Sequence, residues 1–255
     1  DEKDRVLVTK EGEPTYFLVD IAYHLNKYQR GFEKLYDLWG PDHHGYIDRM
    51  KAALVALGYP KGSFEVIIIQ QVNLLQKGVA VKMSKRAGKI IEMVELIEEV
   101  GVDVARFFFL TRRNDNPLEF DMDLAIDTSE ENPVFYVQYA HARVCNILKY
   151  AEDQGVALSG RADLKLLNQV EEINLIKKLI EFPEVVSKAA KFLEPHRLPN
   201  YLKELAAVFH RFYHHHRVVT EDKALTQARL ILVECTRIVL ANALSLLGIT
   251  APERM

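Results

Sequence analysis

Two short apolar runs flank one amphipathic segment early in the chain, and this arrangement restricts the fold more than any other feature. LYDLW (35–39) reads as a buried strand ending at Gly40-Pro41-Asp42. In GYIDRMKAALVALG (45–58), Ile47, Met50, Leu54 and Leu57 fall on one helical face, and Gly58 and Pro60 stop the helix. FEVIIIQ (64–70) is a second strand, too continuously apolar to be half exposed. Strand, helix and strand at this spacing make a βαβ unit of a parallel sheet. NLLQKGVAVKM (73–83) then reads as a hairpin turning at Lys77-Gly78.

The pattern changes near DTSEENP (127–133). Asn132-Pro133 pairs a helix-capping residue with a proline suited to the first helical position, and the helix it opens runs to about Gly155. Further helical stripes follow: Leu164, Leu167, Val170, Ile173, Ile176 and Ile180; then Leu202, Leu205, Val208, Phe209 and Phe212. Leu225, Ala228, Leu232, Cys235 and Val239 begin the last, which Gly248 stops, while Pro183, Pro195 and Pro199 break the intervening stretch. The expected organisation is an α/β part over 1–128 and an all-α helical bundle over 129–255.

Composition excludes several classes. No run of about 18 apolar residues could cross a bilayer, and DEKDRVLVTK lacks the apolar core of a secretion signal. Cys145 and Cys235 form no CxxC pair, which argues against a zinc knuckle or disulfide framework and fits a cytoplasmic protein. The net charge of −3 means that any RNA contact must come from local patches.

Several residues could carry chemistry. Gly40 and Asp42 follow a strand end, where a glycine admits a ligand to the backbone and an aspartate can bind ribose hydroxyls. The bland alternative is a turn, and the adjacent His43 and His44 are then polar lining. TYFLVDIAYHLNKY (15–28) reads as a helix capped by Thr15, with Tyr16 and Asp20 one turn apart on one face. A phenol beside a carboxylate could clamp a guanidinium. VKMSKRAGK (81–89) sets Lys82, Lys85, Arg86 and Lys89 around Met83 and Ser84. It is either a solvated basic turn or a loop whose cations follow charge moving between phosphates. FYVQYAHAR (135–143) interleaves aromatics with His141 and Arg143, a composition that grips unstacked bases but also builds cores. His210 and His214 stand one turn apart without a third ligand at a known metal spacing, so no protein-bound metal is expected.

Taken in order, PTYFLVDIAYHLNKY, WGPDHHGYIDRMKAAL, the Lys-Met-Ser-Lys segment with its continuation to FFFL, VQYAHARVCNIL and the closing LLGITAPERM resemble the arginyl-tRNA synthetases, class I enzymes, through almost the whole chain. The resemblance implies a Rossmann-like half of a catalytic domain followed by a helical anticodon-binding domain. It assigns Tyr16, Asp20 and His44 to the substrate arginine, and Gly40, Asp42, His43, Met83 and Ser84 to ATP. Lys82 and Lys85 would act on the triphosphate and the leaving pyrophosphate, with magnesium accompanying ATP. Tyr139, His141, Arg143 and Met255 become candidates for contacting arginine tRNA, and a monomer is implied. Arg86 stands where the loop motif usually has serine. No His-Ile-Gly-His-like string occurs, so the expectation is a C-terminal fragment that is inactive alone. A non-catalytic tRNA-binding module is the rival reading, and the related cysteine enzyme is disfavoured by the lack of cysteine ligands for zinc.

Overall fold

The computed structural model describes residues 4–81 and 91–255, so the basic segment 82–90 lies outside the described residues. The chain packs as two compact units, 1–72 with 114–118 and 73–113 with 119–255. In this grouping the described residues of 73–113 and 119–127 fall in the same unit as the helices that follow them, whereas the sequence division stands at 128/129.

In the first unit, α1 (Tyr16–Gln29) is followed by β1 (Leu35–Trp39), a 3-10 turn (Pro41–Tyr46), α2 (Ile47–Ala56) and β2 (Phe64–Ile68). The Thr15 hydroxyl accepts from the Leu18 N–H and starts α1 as anticipated. β1 and β2 pair in parallel, from Leu35 opposite Phe64 to Trp39 opposite Ile68. Their core is Ile21, Tyr28, Leu35, Met50, Leu54 and Phe64. The expectation of two buried strands needs correcting. Tyr36 and Leu38 are 42% and 68% exposed, and β2 is half-buried beyond Phe64. Within this unit α1 and α2 supply most of the residues packed on the sheet, with Tyr46 and Tyr59 beside them.

The second unit opens with β3 (Val72–Gln76) and β4 (Val79–Ala80), followed by α3 (Met93–Val100), α4 (Val102–Leu110), β5 (Leu118–Asp121) and α5 (Met122–Ile126). Lys77 and Gly78 have φ of +52° and +70°, the left-handed pair that a tight two-residue hairpin requires. The strand order is β4-β3-β5, and β5 is an element that the sequence reading did not identify.

A helical bundle completes this unit: α6 (Pro133–Asp153), α7 (Val170–Ile180), α8 (Phe182–Phe192), α9 (Arg197–His215) and α10 (Lys223–Leu246). Asn132 caps α6 from a buried position. Its Oδ1 accepts from the Val134 N–H, and its Nδ2 donates to the Ala125 and Asp127 carbonyls at 3.1 and 2.8 Å. The prolines fall at the helix boundaries of this stretch, as expected of residues that break it. Pro183 opens α8 and Pro199 sits in the first turn of α9, positions where a missing N–H costs nothing.

The apolar stripe assigned to α7 also needs revision. Residues 164–166 form a 3-10 turn, and Val170 and Ile180 are 69% and 71% exposed. The core-facing residues are Glu172 and Leu175. Glu172 Oε2 accepts from the Gln169 N–H at 2.9 Å, closing a capping box. Its Oε1 accepts from Arg229 Nε at 2.8 Å, in a pair whose side chains are 0% and 8% exposed. Arg229 also donates to the Arg217 carbonyl at 2.7 Å. Removing one member leaves the other charge buried and unpaired. Glu172→Ala should therefore cost about 3–5 kcal/mol, read by urea unfolding; a loss below about 1 kcal/mol would contradict this account of how α7 docks.

Candidate functional site

The first unit gathers a polar corner where α1 meets the end of β1. The strand delivers Gly40 into the 3-10 turn, whose exposed residues include Asp42, His43 and His44. Tyr16 is 74% exposed on the first turn of α1. Asp20 lies one turn further and faces Tyr46, a residue the sequence reading passed over. Burial first, and then the charge of Asp20, push the Tyr46 phenol up to about 12. Arg49 lies over the Tyr46 ring, 5.0 Å from its centroid. Phe17 and Trp39 pack on Tyr46 at 5.5 and 5.7 Å and seat it between helix and strand.

Beneath this corner, Asp37 of β1 binds α1 at two points. His24 Nε2 and Lys27 Nζ each donate to it at 2.8 Å, and His24 Nδ1 donates to the Asp20 carbonyl at 2.7 Å. The strand thus holds the helix that carries Asp20. Burial alone would raise the Asp37 pKa; the His24 and Lys27 bonds outweigh it and bring it down to about 2.

The second unit carries a groove between α6 and α9. The Arg143 guanidinium lies 4.4 Å from the Tyr139 ring centroid and 5.0 Å from that of Tyr213. Arg143 also donates to the Tyr139 hydroxyl and to His210 Nδ1. Two adjoining hollows of about 520 and 620 Å³ share Arg143, Tyr213 and Arg217. Flat rings and cations in one open groove can stack unpaired bases and hold phosphates.

His141 is placed elsewhere. It is 3% exposed, and its Nδ1 donates to the Pro252 carbonyl at 2.9 Å. With Gln138, which donates to the Thr250 carbonyl at 3.0 Å, it ties the last residues to another side of α6. Gly248 makes the approach of that segment workable: its φ is +67°, and a Cβ there would lie 2.9 Å from Arg106. Met255 is half exposed beyond this tie. Lys82, Met83, Ser84 and Lys85 lie outside the described residues. Among the described residues, no group of three or more His, Cys, Asp or Glu side chains is set to hold a metal, and no helix is long and apolar enough to cross a membrane.

Residues 137–255 match the DALR anticodon binding domain model. Along its full length the chain is 51% identical to an arginine–tRNA ligase of Desulforamulus reducens and 54% identical to one of Listeria welshimeri, in each case covering 46% of the relative. Along its whole length the chain is similar to the C-terminal part of arginine–tRNA ligases. A Campylobacter jejuni crystal structure assigned to arginyl-tRNA synthetase superposes with a TM-score of 0.90 at 38% identity, over all of this chain and 55% of that one. The chain spans about half the length of the curated relatives it matches, namely their C-terminal part.

The Asp37 tie gives a pH signature. Its folded pKa lies below the unfolded value of 3.8, so the stability it contributes is present above pH 3.8 and lost as pH falls through about 2. Asp37→Asn should cost about 2 kcal/mol at pH 7 and little near pH 2, as measured by denaturant unfolding at both values. An equal cost at both would assign the loss to packing rather than charge.

Proposed function

We propose that the chain is the part of an arginine–tRNA ligase that helps to bind arginine and ATP and that grips the anticodon end of arginine tRNA. The observation that carries this reading is the match to arginine–tRNA ligases along the entire chain at 51–54% identity. The reaction joins the arginine carboxylate to the α-phosphate of ATP with release of pyrophosphate, and then passes the arginyl group to a hydroxyl at the tRNA 3′ end with release of AMP. It is an in-line displacement and depends on positioning and charge more than on a protein nucleophile.

In this reading residues 1–128 belong to a Rossmann-like catalytic domain and residues 129–255 to the anticodon-binding domain. Asp20 accepts hydrogen bonds from the arginine guanidinium, Tyr16 packs beside it, and His44 completes the pocket from the 3-10 turn. Gly40, Asp42 and His43 receive the ATP ribose, with Met83 and Ser84 supporting the nucleotide. Lys82 and Lys85 neutralise the charge that develops on the leaving pyrophosphate, and magnesium enters with ATP. Tyr139 and Arg143 face RNA. Met255 remains an RNA contact in the proposal, whereas His141 serves it indirectly by anchoring the tail to α6.

The test is the charge of the amino acid. In a protein of the relatives' full length that carries this sequence, Asp20→Asn keeps size but removes the charge opposite the guanidinium. Arginine affinity should fall about a hundredfold, while citrulline, the neutral isostere, loses far less by calorimetry. Equal losses for the two ligands would remove Asp20 from amino-acid recognition.

A further inference from the structure

His210 of α9 forms part of the floor of the α6–α9 groove, and neither the resemblance nor the proposed function gives it a role. Arg143 Nη1 donates to His210 Nδ1 at 3.2 Å. A guanidinium has only donors, so Nδ1 must present a lone pair, and the neutral ring then carries its hydrogen on Nε2. The ring is held from several sides: the centroids of Tyr136, Phe209 and Tyr139 lie 4.8, 5.6 and 6.0 Å away. Burial first, and then the Arg143 charge, push its pKa below the ordinary histidine value, whereas Glu130 acts in the opposite sense.

This neutral state has a use. An arginine side chain reaching for a phosphate or a base edge loses several rotamers on binding, and a partner that fixes it beforehand removes part of that cost. Tyr139 and Tyr213 bracket the guanidinium through their rings, the Tyr139 hydroxyl accepts from one Nη, and His210 accepts from the other and so completes its in-plane direction. A carboxylate in this place would fix Arg143 as well, but it would cancel the charge that RNA needs. A neutral imidazole acceptor orients the guanidinium and leaves its charge available.

We propose that His210 is a positioning residue for RNA binding, its Nδ1 lone pair holding Arg143 aimed into the groove between Tyr139 and Tyr213. The inference rests on the reading of that groove as the RNA face.

Two substitutions separate this role from simple packing. His210→Phe keeps a flat ring in the aromatic cluster but removes the acceptor. His210→Asn loses the ring but places an amide oxygen near the position of Nδ1. With the 255-residue chain and labelled arginine tRNA, the Phe variant should bind about tenfold more weakly, and the Asn variant within about threefold of the parent. The opposite order, or equal affinity for the parent and the Phe variant, would overturn the proposal. A parent chain that binds no tRNA would overturn the reading of the groove and this inference with it. Imidazole ¹⁵N NMR provides a readout independent of RNA. At neutral pH, His210 should show an unprotonated Nδ1 and a protonated Nε2, and Arg143→Gln should shift the Nδ1 resonance. A protonated Nδ1 would contradict the proposed arrangement whatever the binding data give.

Discussion

Helix α6 must satisfy three surfaces at once, and the rest of the second unit depends on how its sequence divides them. Val137, Ala140, Val144, Ile147 and Ala151 recur at three and four residues and are buried. Gln138 and His141 carry the ties to the last residues. Tyr139 and Arg143 are left facing the groove shared with α9. With about 100° between successive residues, the three sets fall on different sides of one cylinder. The Asn132 cap fixes where this helix begins and hence the direction in which each surface points.

Charge is handled differently in the two units. In the first, Asp37 draws two donors from α1 and supports the helix that bears Asp20. In the second, Glu172 and Arg229 meet inside the bundle, and Arg229 reaches on to the Arg217 carbonyl beside the groove. Both arrangements pair ionic groups of low exposure through direct hydrogen bonds, which ties one element to another at a defined point. The corner near Asp20 and the groove near Arg143 share a further property. Each sets a charged side chain among aromatic rings, where it stays available to a ligand of opposite charge or to a flat face.

Much of this was legible in the sequence, for reasons that can be stated residue by residue. The βαβ pairing, the Lys77-Gly78 hairpin, the Thr15 and Asn132 caps and the core of α9 all followed from local rules of periodicity and capping. The motif order pointed to the family before any geometry was known. Local rules failed where a distant partner decides the outcome. The inward position of Glu172 depends on Arg229, 57 residues away in the chain. His141 reads as a tRNA-contact candidate from its neighbours in sequence, whereas the carbonyl of Pro252, 111 residues on, holds it. The strands near Leu38 looked buried because apolar content records what a segment can cover, not what covers it in this unit. Tyr46 carries no sequence signal, and His210 stands out only as half of a histidine pair, because the significance of both lies in what they face.

The central claim is that the groove between α6 and α9 meets the anticodon loop. The most direct test is a titration of the 255-residue chain with arginine tRNA and with the same tRNA altered in the anticodon loop, at low and moderate salt. The account predicts binding that weakens as salt rises, and a preference of about tenfold or more for the unaltered loop that disappears in Tyr139→Ala. Equal affinity for the two tRNAs, or a preference that survives the loss of Tyr139, would contradict it.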